Sequence, residues 1–304
     1  MINFLAIRWD VNPEMFALGP IHLRYYGVLF VLSFIAAYFV MRKIFRREQM
    51  SQNLLDNFAF TIVISAVIGA RLGHCLFYQP THFLTHPWEI VWPFSNGEFI
   101  GFQGLASHGG AIGILLGLWW WCRKQKKSYM WAMERIVVTT PLAGAIIRFG
   151  NLMNSEIYGD VTSLPWGFEF IKNLSDWMAG HPPIYTAPSH PTQIYEALAY
   201  LAIFFVMWFL YSKKLPKLKR GMLFGIFLIL LFGMRFLIEF IKQTQVPFED
   251  SLSLNMGQIL SLPFILAGIG ILCWAFVKGK PELELMKKEQ AKKGNPVKQK
   301  IIKK

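Results

Sequence analysis

The sequence predicts an all-α integral membrane protein. It reads as a seven-transmembrane-helix bundle with its N-terminus outside and its C-terminus cytoplasmic, and a small extracytoplasmic segment between spans four and five. Three observations carry this reading. The 304 residues are 54% hydrophobic and only 16% charged, whereas soluble domains carry about 25% charged residues. Seven apolar windows reach the ~17–25 residues that a helix needs to cross a ~30 Å hydrocarbon core. Finally, Lys and Arg are concentrated in alternate connections between those windows.

The windows are 25–41, 57–78, 105–122, 132–150, 192–211, 221–241 and 257–277. Ahead of the first, Asp10, Pro13 and Glu14 replace the basic n-region of a signal peptide, so no cleaved leader is expected. No internal repeat of the inverted-topology kind is evident. The connections 42–56, 123–131, 212–220 and 278–304 hold 4, 4, 5 and 10 Lys and Arg, against 2, 0, 1 and 1 in 1–24, 79–104, 151–191 and 242–256. The basic set is therefore expected on the cytoplasmic side. This placement assigns the net charge of +13 to a membrane surface rather than to nucleic acid. Residues 1–277 form the expected seven-span domain, with 151–191 as its extracytoplasmic insert. The Lys-rich stretch 278–304 reads as a disordered cytoplasmic tail drawn to anionic lipid. Cys75, Cys122 and Cys273 all lie in apolar stretches and read as buried hydrophobes, not as a disulfide framework.

Ionised groups in a spanning helix cost at least ~2.5–3.5 kcal/mol each at the centre, so their positions are informative. Glu134 and Arg135 sit at the cytoplasmic start of span four, where snorkelling accounts for them. The others share one level near the outer leaflet. They are Arg71 in span two, His108 opening span three, Arg148 closing span four ahead of Asn151, Asn154 and Glu156, His190 and Glu196 at the start of span five, and Arg235 and Glu239 in span six. Arg235 and Glu239 are i,i+4 neighbours, able to pair. Such groups can be interhelical clamps that neutralise one another. Within the spans, however, Arg71, Arg148 and Arg235 outnumber Glu196 and Glu239, which leaves positive charge for an anion unless Glu156 absorbs it. Two helix starts on the same side, Ser107-His108-Gly109-Gly110 and His190-Pro191-Thr192-Gln193, are either plain helix starts or anion-binding N-termini. Arg suits bidentate phosphate recognition better than Lys, and none of the windows contains Lys.

The usual nucleophile and metal signatures are missing: G-x-S-x-G, Walker A, H-E-x-x-H and Cys/His spacings do not occur. No metal and no cofactor are implied. His as base, Arg as electrostatic clamp, and Tyr, Asn and Glu as positioners suit a transfer whose donor and nucleophile both arrive from outside. Composition and spacing lead as far as lipid-phosphate chemistry near the outer leaflet. A transporter is disfavoured by the one-sided polar level and the missing repeats, and an intramembrane protease by the missing Ser elbow and aspartyl pair.

Several ordered motifs carry a resemblance. They are Tyr25-Tyr26-Gly27, Gly69-Ala-Arg71-Leu-Gly73, Ser107-His108-Gly109-Gly110, Gly144-Ala-Ile-Ile-Arg148-Phe-Gly-Asn151-Leu-Met-Asn154-Ser-Glu156-Ile-Tyr-Gly159, His190-Pro-Thr-Gln-Ile-Tyr195-Glu196, Arg235-Phe-Leu-Ile-Glu239-Phe and Met256-Gly257-Gln258. Together, from about residue 19 to 277, they resemble the prolipoprotein diacylglyceryl transferase family. The resemblance implies a bacterial inner-membrane enzyme that moves the diacylglyceryl group of phosphatidylglycerol onto the lipobox cysteine of a prolipoprotein signal peptide, releasing glycerol phosphate. It implies that Arg148 binds phosphatidylglycerol, and that Tyr26, His108, Asn151, Glu156, Gly159 and Arg235 are functionally important. On this reading Arg148 and Arg235 clamp the phosphodiester, and His108 acts as base or orients lipid. Glu239 orients Arg235, while Arg71, His190 and Glu196 support the site. The chain departs from the usual signature at Ile147 and Ser155, where Gly is common, and at Leu152, where Phe is common. These changes bear on packing more than on chemistry. Another phospholipid head-group-processing enzyme is the alternative.

Overall fold

The computed structural model describes residues 6–19, 21–91, 94–95, 98–99, 104, 106–243 and 254–285. The tail beyond 285 lies outside them. Helices dominate: α1 (Tyr25–Arg47), α2 (Gln52–Phe77), α3 (Pro80–Thr85), α4 (Ser107–Lys124), α5 (Tyr129–Met153), α6 (Leu174–Met178), α7 (Thr192–Phe209), α8 (Met222–Ile238) and α9 (Met256–Lys278). Short strands complete the chain: β1 (Ile7–Trp9), β2 (Glu14–Leu18), β3 (Ile21–Arg24), β4 (Phe94–Ser95), β5 (Glu98–Phe99) and β6 (Phe168–Phe170). A π-turn carries α7 on to Lys214, and a 3₁₀ turn carries α8 on to Ile241.

Among the described residues six helical runs are long and apolar enough to cross a membrane: Tyr25–Arg47, Gln52–Phe77, Tyr129–Met153, Thr192–Lys214, Met222–Ile241 and Met256–Lys278. Their flanks expose large apolar side chains such as Val31, Ile35 and Phe39 on α1, Phe205 and Phe209 on α7, and Leu266 and Ile269 on α9. Water penalises such surfaces and hydrocarbon does not. The protein is therefore a multi-pass membrane protein. The remaining long helix, α4, has 18 residues and falls outside the six, because four glycines, His108, Arg123 and Lys124 dilute its hydropathy.

The chain divides into two compact units. The first holds the N-terminal residues up to Phe16, residues Leu23–Ala37, and the chain from Ile136 onward. Here α8 and α9 approach closely at Gly225 and Gly268. A Cβ on either glycine would lie 2.9 Å from the other's carbonyl oxygen. Phe232 and Phe264 stack above that point at 4.2 Å. At the end of α5, β1 pairs in parallel with β6, with Ile7 opposite Phe168, and Phe168 bridges on to Ser189. Trp9, Leu152, Phe168 and Phe170 form a small apolar core under this layer, and the Trp9 indole N–H donates to the Leu152 carbonyl at 2.9 Å. Burial there, against Phe170, pushes the Tyr158 phenol up. Leu152 thus serves packing, in keeping with its departure from the usual Phe. At the other end of the helices Arg220 grips Glu282 with two hydrogen bonds, of 2.9 and 3.1 Å.

The second unit holds Ala17–His22 and Tyr38–Arg135. Its helices α2 and α4 meet backbone to backbone. A Cβ on Gly69 would lie 2.7 Å from the Gly113 Cα, and one on Gly73 would lie 2.7 Å from the Gly109 Cα. Helices in lipid gain little from apolar contact alone, so close approach at small residues supplies the van der Waals contact instead. Two corrections follow. The glycines of Ser107-His108-Gly109-Gly110 are taken up by α2 rather than left open to an anion. Glu134 and Arg135 do not snorkel: they are 1% and 0% exposed, with the Arg135 Nε 2.9 Å from Glu48 Oε1. The Trp131 indole N–H donates to the other Glu48 oxygen, also at 2.9 Å. A third correction concerns sulfur: Cys75 and Cys122 are buried, but Cys273 is exposed on α9.

Candidate active site

The first unit collects most of the expected residues into one cluster. Arg148 sits one turn before the end of α5, and two glycines flank it on the helix. Gly144 gives the ring of Tyr200 a seat, since a Cβ there would lie 3.0 Å from the Tyr200 Cδ2. Gly150 does the same for Tyr26, at 2.9 Å. The Arg148 Nε lies 2.7 Å from Glu196 Oε2, and its Nη1 donates to Asn151 Oδ1 at 3.0 Å. The pair at Glu196 joins α5 to α7 through a carboxylate that is fully buried.

Past α5 the chain turns tightly around Glu156. Ser155 and Ile157 both take left-handed backbone angles, φ +51° and +61°. That region is unfavourable for side chains with a Cβ, and most of all for a branched one. It also accounts for the glycine that is common at position 155, since the backbone there takes a conformation that glycine adopts at no cost. The turn is pinned from α7, where the Gln193 side-chain amide donates to the Glu156 carbonyl at 2.7 Å and the Thr192 hydroxyl to the Ile157 carbonyl at 2.8 Å. Neutral amides hold the Glu156 carboxylate: Asn151 Nδ2 donates to Oε1 at 2.8 Å and Asn154 Nδ2 at 3.4 Å. Tyr26 interacts electrostatically with both Glu156 and Arg148.

Gly159 closes the turn. Its N–H donates to the His190 carbonyl at 2.8 Å, and it bridges to Lys242. A Cβ there would run into the Ile241 carbonyl and lie 2.7 Å from the Thr192 Cγ2. Pro191 is the N-cap of α7 rather than a residue of its first turn. His190 Nδ1 lies 3.3 Å from the Tyr195 hydroxyl, which also accepts the Trp166 indole N–H at 2.9 Å.

Arg235 approaches from α8. It is half-buried and has no ion pair among the described residues. Both it and Arg148 interact electrostatically with Tyr200. The expected i,i+4 pair with Glu239 is not formed, because Glu239 lies where α8 tightens into its 3₁₀ turn and faces other partners. Its carboxylate abuts Gly257 at the start of α9, an end that favours negative charge. It also lies 3.6 Å from the Lys242 Nζ, while the Asn255 side chain donates to the Glu239 carbonyl at 2.8 Å. Lys242 escaped the sequence reading because it follows the last apolar residue of its window. Its i,i+3 spacing from Glu239 was the available signal. With it included, Arg148, Arg235 and Lys242 match Glu156, Glu196 and Glu239 in number. The surplus is therefore one of geometry: Glu156 is held by amides, and Arg235 stands without a carboxylate among the described residues.

Arg71 and His108 belong to the second unit. Arg71 donates from Nε to the Ile90 carbonyl at 2.9 Å and from Nη2 to the Glu89 carbonyl at 2.5 Å, with its guanidinium 5.0 Å above the Phe83 ring. It braces the turn that follows α3. His108 is exposed in the first turn of α4. Among the described residues no group of three or more metal-ligating side chains is suited to hold a metal.

Fold and site define a membrane-embedded enzyme in which the Arg148 guanidinium meets a buried carboxylate and a buried amide, and Arg235 of a second helix interacts with the same Tyr200. The family model for prolipoprotein diacylglyceryl transferase matches residues 13–274. The chain belongs to that family, as its motifs suggested, and is a transferase of lipoprotein biosynthesis. A relative from Bacteroides fragilis, named phosphatidylglycerol–prolipoprotein diacylglyceryl transferase, is 44% identical over 87% of this chain and 94% of its own length. Relatives of the same name from Porphyromonas gingivalis and Tolumonas auensis are each 40% identical, covering 88% and 86% of this chain and 93% and 94% of their own.

Proposed function

We propose that this protein transfers the diacylglyceryl group of phosphatidylglycerol to the lipobox cysteine of a prolipoprotein. The cysteine sulfur attacks the glyceryl carbon that carries the phosphate. A thioether forms, the carbon–oxygen bond breaks, and glycerol phosphate leaves with the electron pair. The names of the relatives support this reading, and one observation carries it: Arg148 and Arg235, from two helices, both interact with Tyr200, while Arg235 has no carboxylate partner among the described residues. On this reading they grip the phosphodiester and stabilise the charge that grows on the leaving phosphate. Loss of such a clamp typically costs ~10²–10³ in rate. Tyr26, Asn151, Glu156 and Gly159 shape the head-group side, Glu196 holds Arg148 and Lys242, and Glu239 holds Lys242. His108 takes the thiol proton, directly or through a water, since a free thiol of pKa near ~8.5 is mostly protonated at neutral pH.

We also propose α4 as a seventh span. The N-terminus is outside and the basic connections are cytoplasmic, in a bacterial inner membrane. The Lys and Arg distribution supports this orientation. Purified protein incubated with phosphatidylglycerol and a lipobox peptide should raise the peptide's mass by one diacylglyceryl group. Lipid turnover with an unmodified peptide would favour another phospholipid-processing activity instead.

A further inference from the structure

Lys242 is the first residue beyond the 3₁₀ turn that ends α8, and its side chain is 2% exposed. Its ammonium lies 3.2 Å from Glu196 Oε1 and 3.6 Å from Glu239 Oε2. The other oxygen of Glu196 is the one that meets Arg148, at 2.7 Å. A single carboxylate, with 0% of its side chain exposed, is thus divided between two cations, one oxygen each. The Lys242 backbone is fixed as well. Gly159 bridges to it, and the neighbouring Ile241 carbonyl accepts the Asp160 N–H at 2.9 Å. The ammonium is therefore tied to the same turn that presents Glu156.

A guanidinium offers its N–H donors in a rigid fork, and a free carboxylate beside it tends to take two of them at once. Lys242 prevents that here by occupying one oxygen of Glu196. Arg148 then spends Nε on Glu196 and Nη1 on Asn151, and its guanidinium also donates to the Tyr200 hydroxyl, so these three partners fix its orientation toward an anion. We propose that Lys242 is a positioning residue of the transfer reaction, which acts through Glu196 to set the angle at which Arg148 meets the lipid phosphate. The proposal rests on the reading of Arg148 as the phosphodiester grip. Lys242 itself is too buried to touch substrate.

The test uses the full chain in detergent micelles, with phosphatidylglycerol and a lipobox peptide, for wild type, Lys242→Met, Lys242→Arg, Glu196→Gln and the Lys242→Met/Glu196→Gln pair. Lys242→Met should raise KM for phosphatidylglycerol by roughly tenfold, the scale of a sub-ångström misplacement, and leave KM for the peptide unchanged. Lys242→Arg should restore most of the loss. In the Glu196→Gln background, Lys242→Met should add almost nothing. A Lys242→Met protein with wild-type KM for the lipid overturns the proposal. So does a loss shared by both substrates that Lys242→Arg fails to rescue, which would mark a structural role. Native mass spectrometry of phosphatidylglycerol binding by the same variants keeps this inference apart from the reaction itself. Wild type that fails to modify the peptide sinks the assigned reaction, whereas lipid binding unaffected by Lys242→Met sinks the positioning role.

Discussion

Gly159→Ala adds one methyl group at the most crowded point of the site. The new Cβ would collide with the Ile241 carbonyl and lie 2.7 Å from the Thr192 Cγ2 and 2.9 Å from the His190 Cβ. The carbonyl cannot swing away cheaply, because it accepts the Asp160 N–H at 2.9 Å. Restoring ordinary carbon–carbon contact at ~3.5 Å therefore requires a shift of about 0.8 Å. Overpacking of this kind costs ~1–3 kcal/mol, and a displacement near 1 Å can lower a rate ~10²-fold. The moved segment carries Glu156 on one side and Lys242 on the other, so activity should fall further than stability. Thermal unfolding in detergent and the rate of peptide modification measure the two effects. Gly233→Ala is the control: apart from its chain neighbours and its own helix backbone, nothing lies within 4 Å of its added Cβ. Inside α8 it should gain up to ~1 kcal/mol of helix propensity and keep full activity. If Gly159→Ala matches wild type in both assays, the close seat between α7 and α8 is not a condition of the site.

Three further expectations follow. Ser155→Gly should stabilise the protein by ~1 kcal/mol, because it relieves the left-handed angle and removes a buried hydroxyl that has no hydrogen-bond partner; lower thermal stability would contradict this account of the turn. Arg148→Ala and Arg235→Ala should each lower transfer by ~10²–10³, but only Arg148→Ala should also destabilise the fold, since it leaves Glu196 to Lys242 alone; equal unfolding temperatures for the two variants would refute that division. Gly69→Leu should sharply reduce the yield of folded protein, because its side chain would have to occupy the backbone of α4; a wild-type yield would show that the two helices can separate.

Much of the helical framework was legible in hydropathy, and the errors have physical causes. The window 25–41 underestimates α1, which runs on to Arg47, because a helix continues past the apolar core while Arg42, Lys43, Arg46 and Arg47 carry it into the charged layer. The window 221–241 correctly reached Ile241 but missed Lys242, which is polar in sequence and buried in space. Arg148, Asn151 and Glu156 were readable together because they lie within nine residues of chain. The expected pair of Arg235 with Glu239 is not formed because helical spacing assumes a regular helix, and α8 stops being one at that residue. Tyr200 carried no signal at all, since nothing in an apolar run marks which aromatic ring will sit against a glycine. The pairing of β1 with β6 was invisible for another reason: two three-residue strands about 160 residues apart leave no periodic trace.

The contact between α2 and α4 constrains how this protein can move. Where main chains touch at Gly69 and Gly113 and at Gly73 and Gly109, there are no rotamers to exchange, so local repacking is not available at those points. Any rearrangement that admits a large lipid or releases a lipidated product must carry these two helices as a single rigid blade, and the adjustment must fall on the connections at its ends.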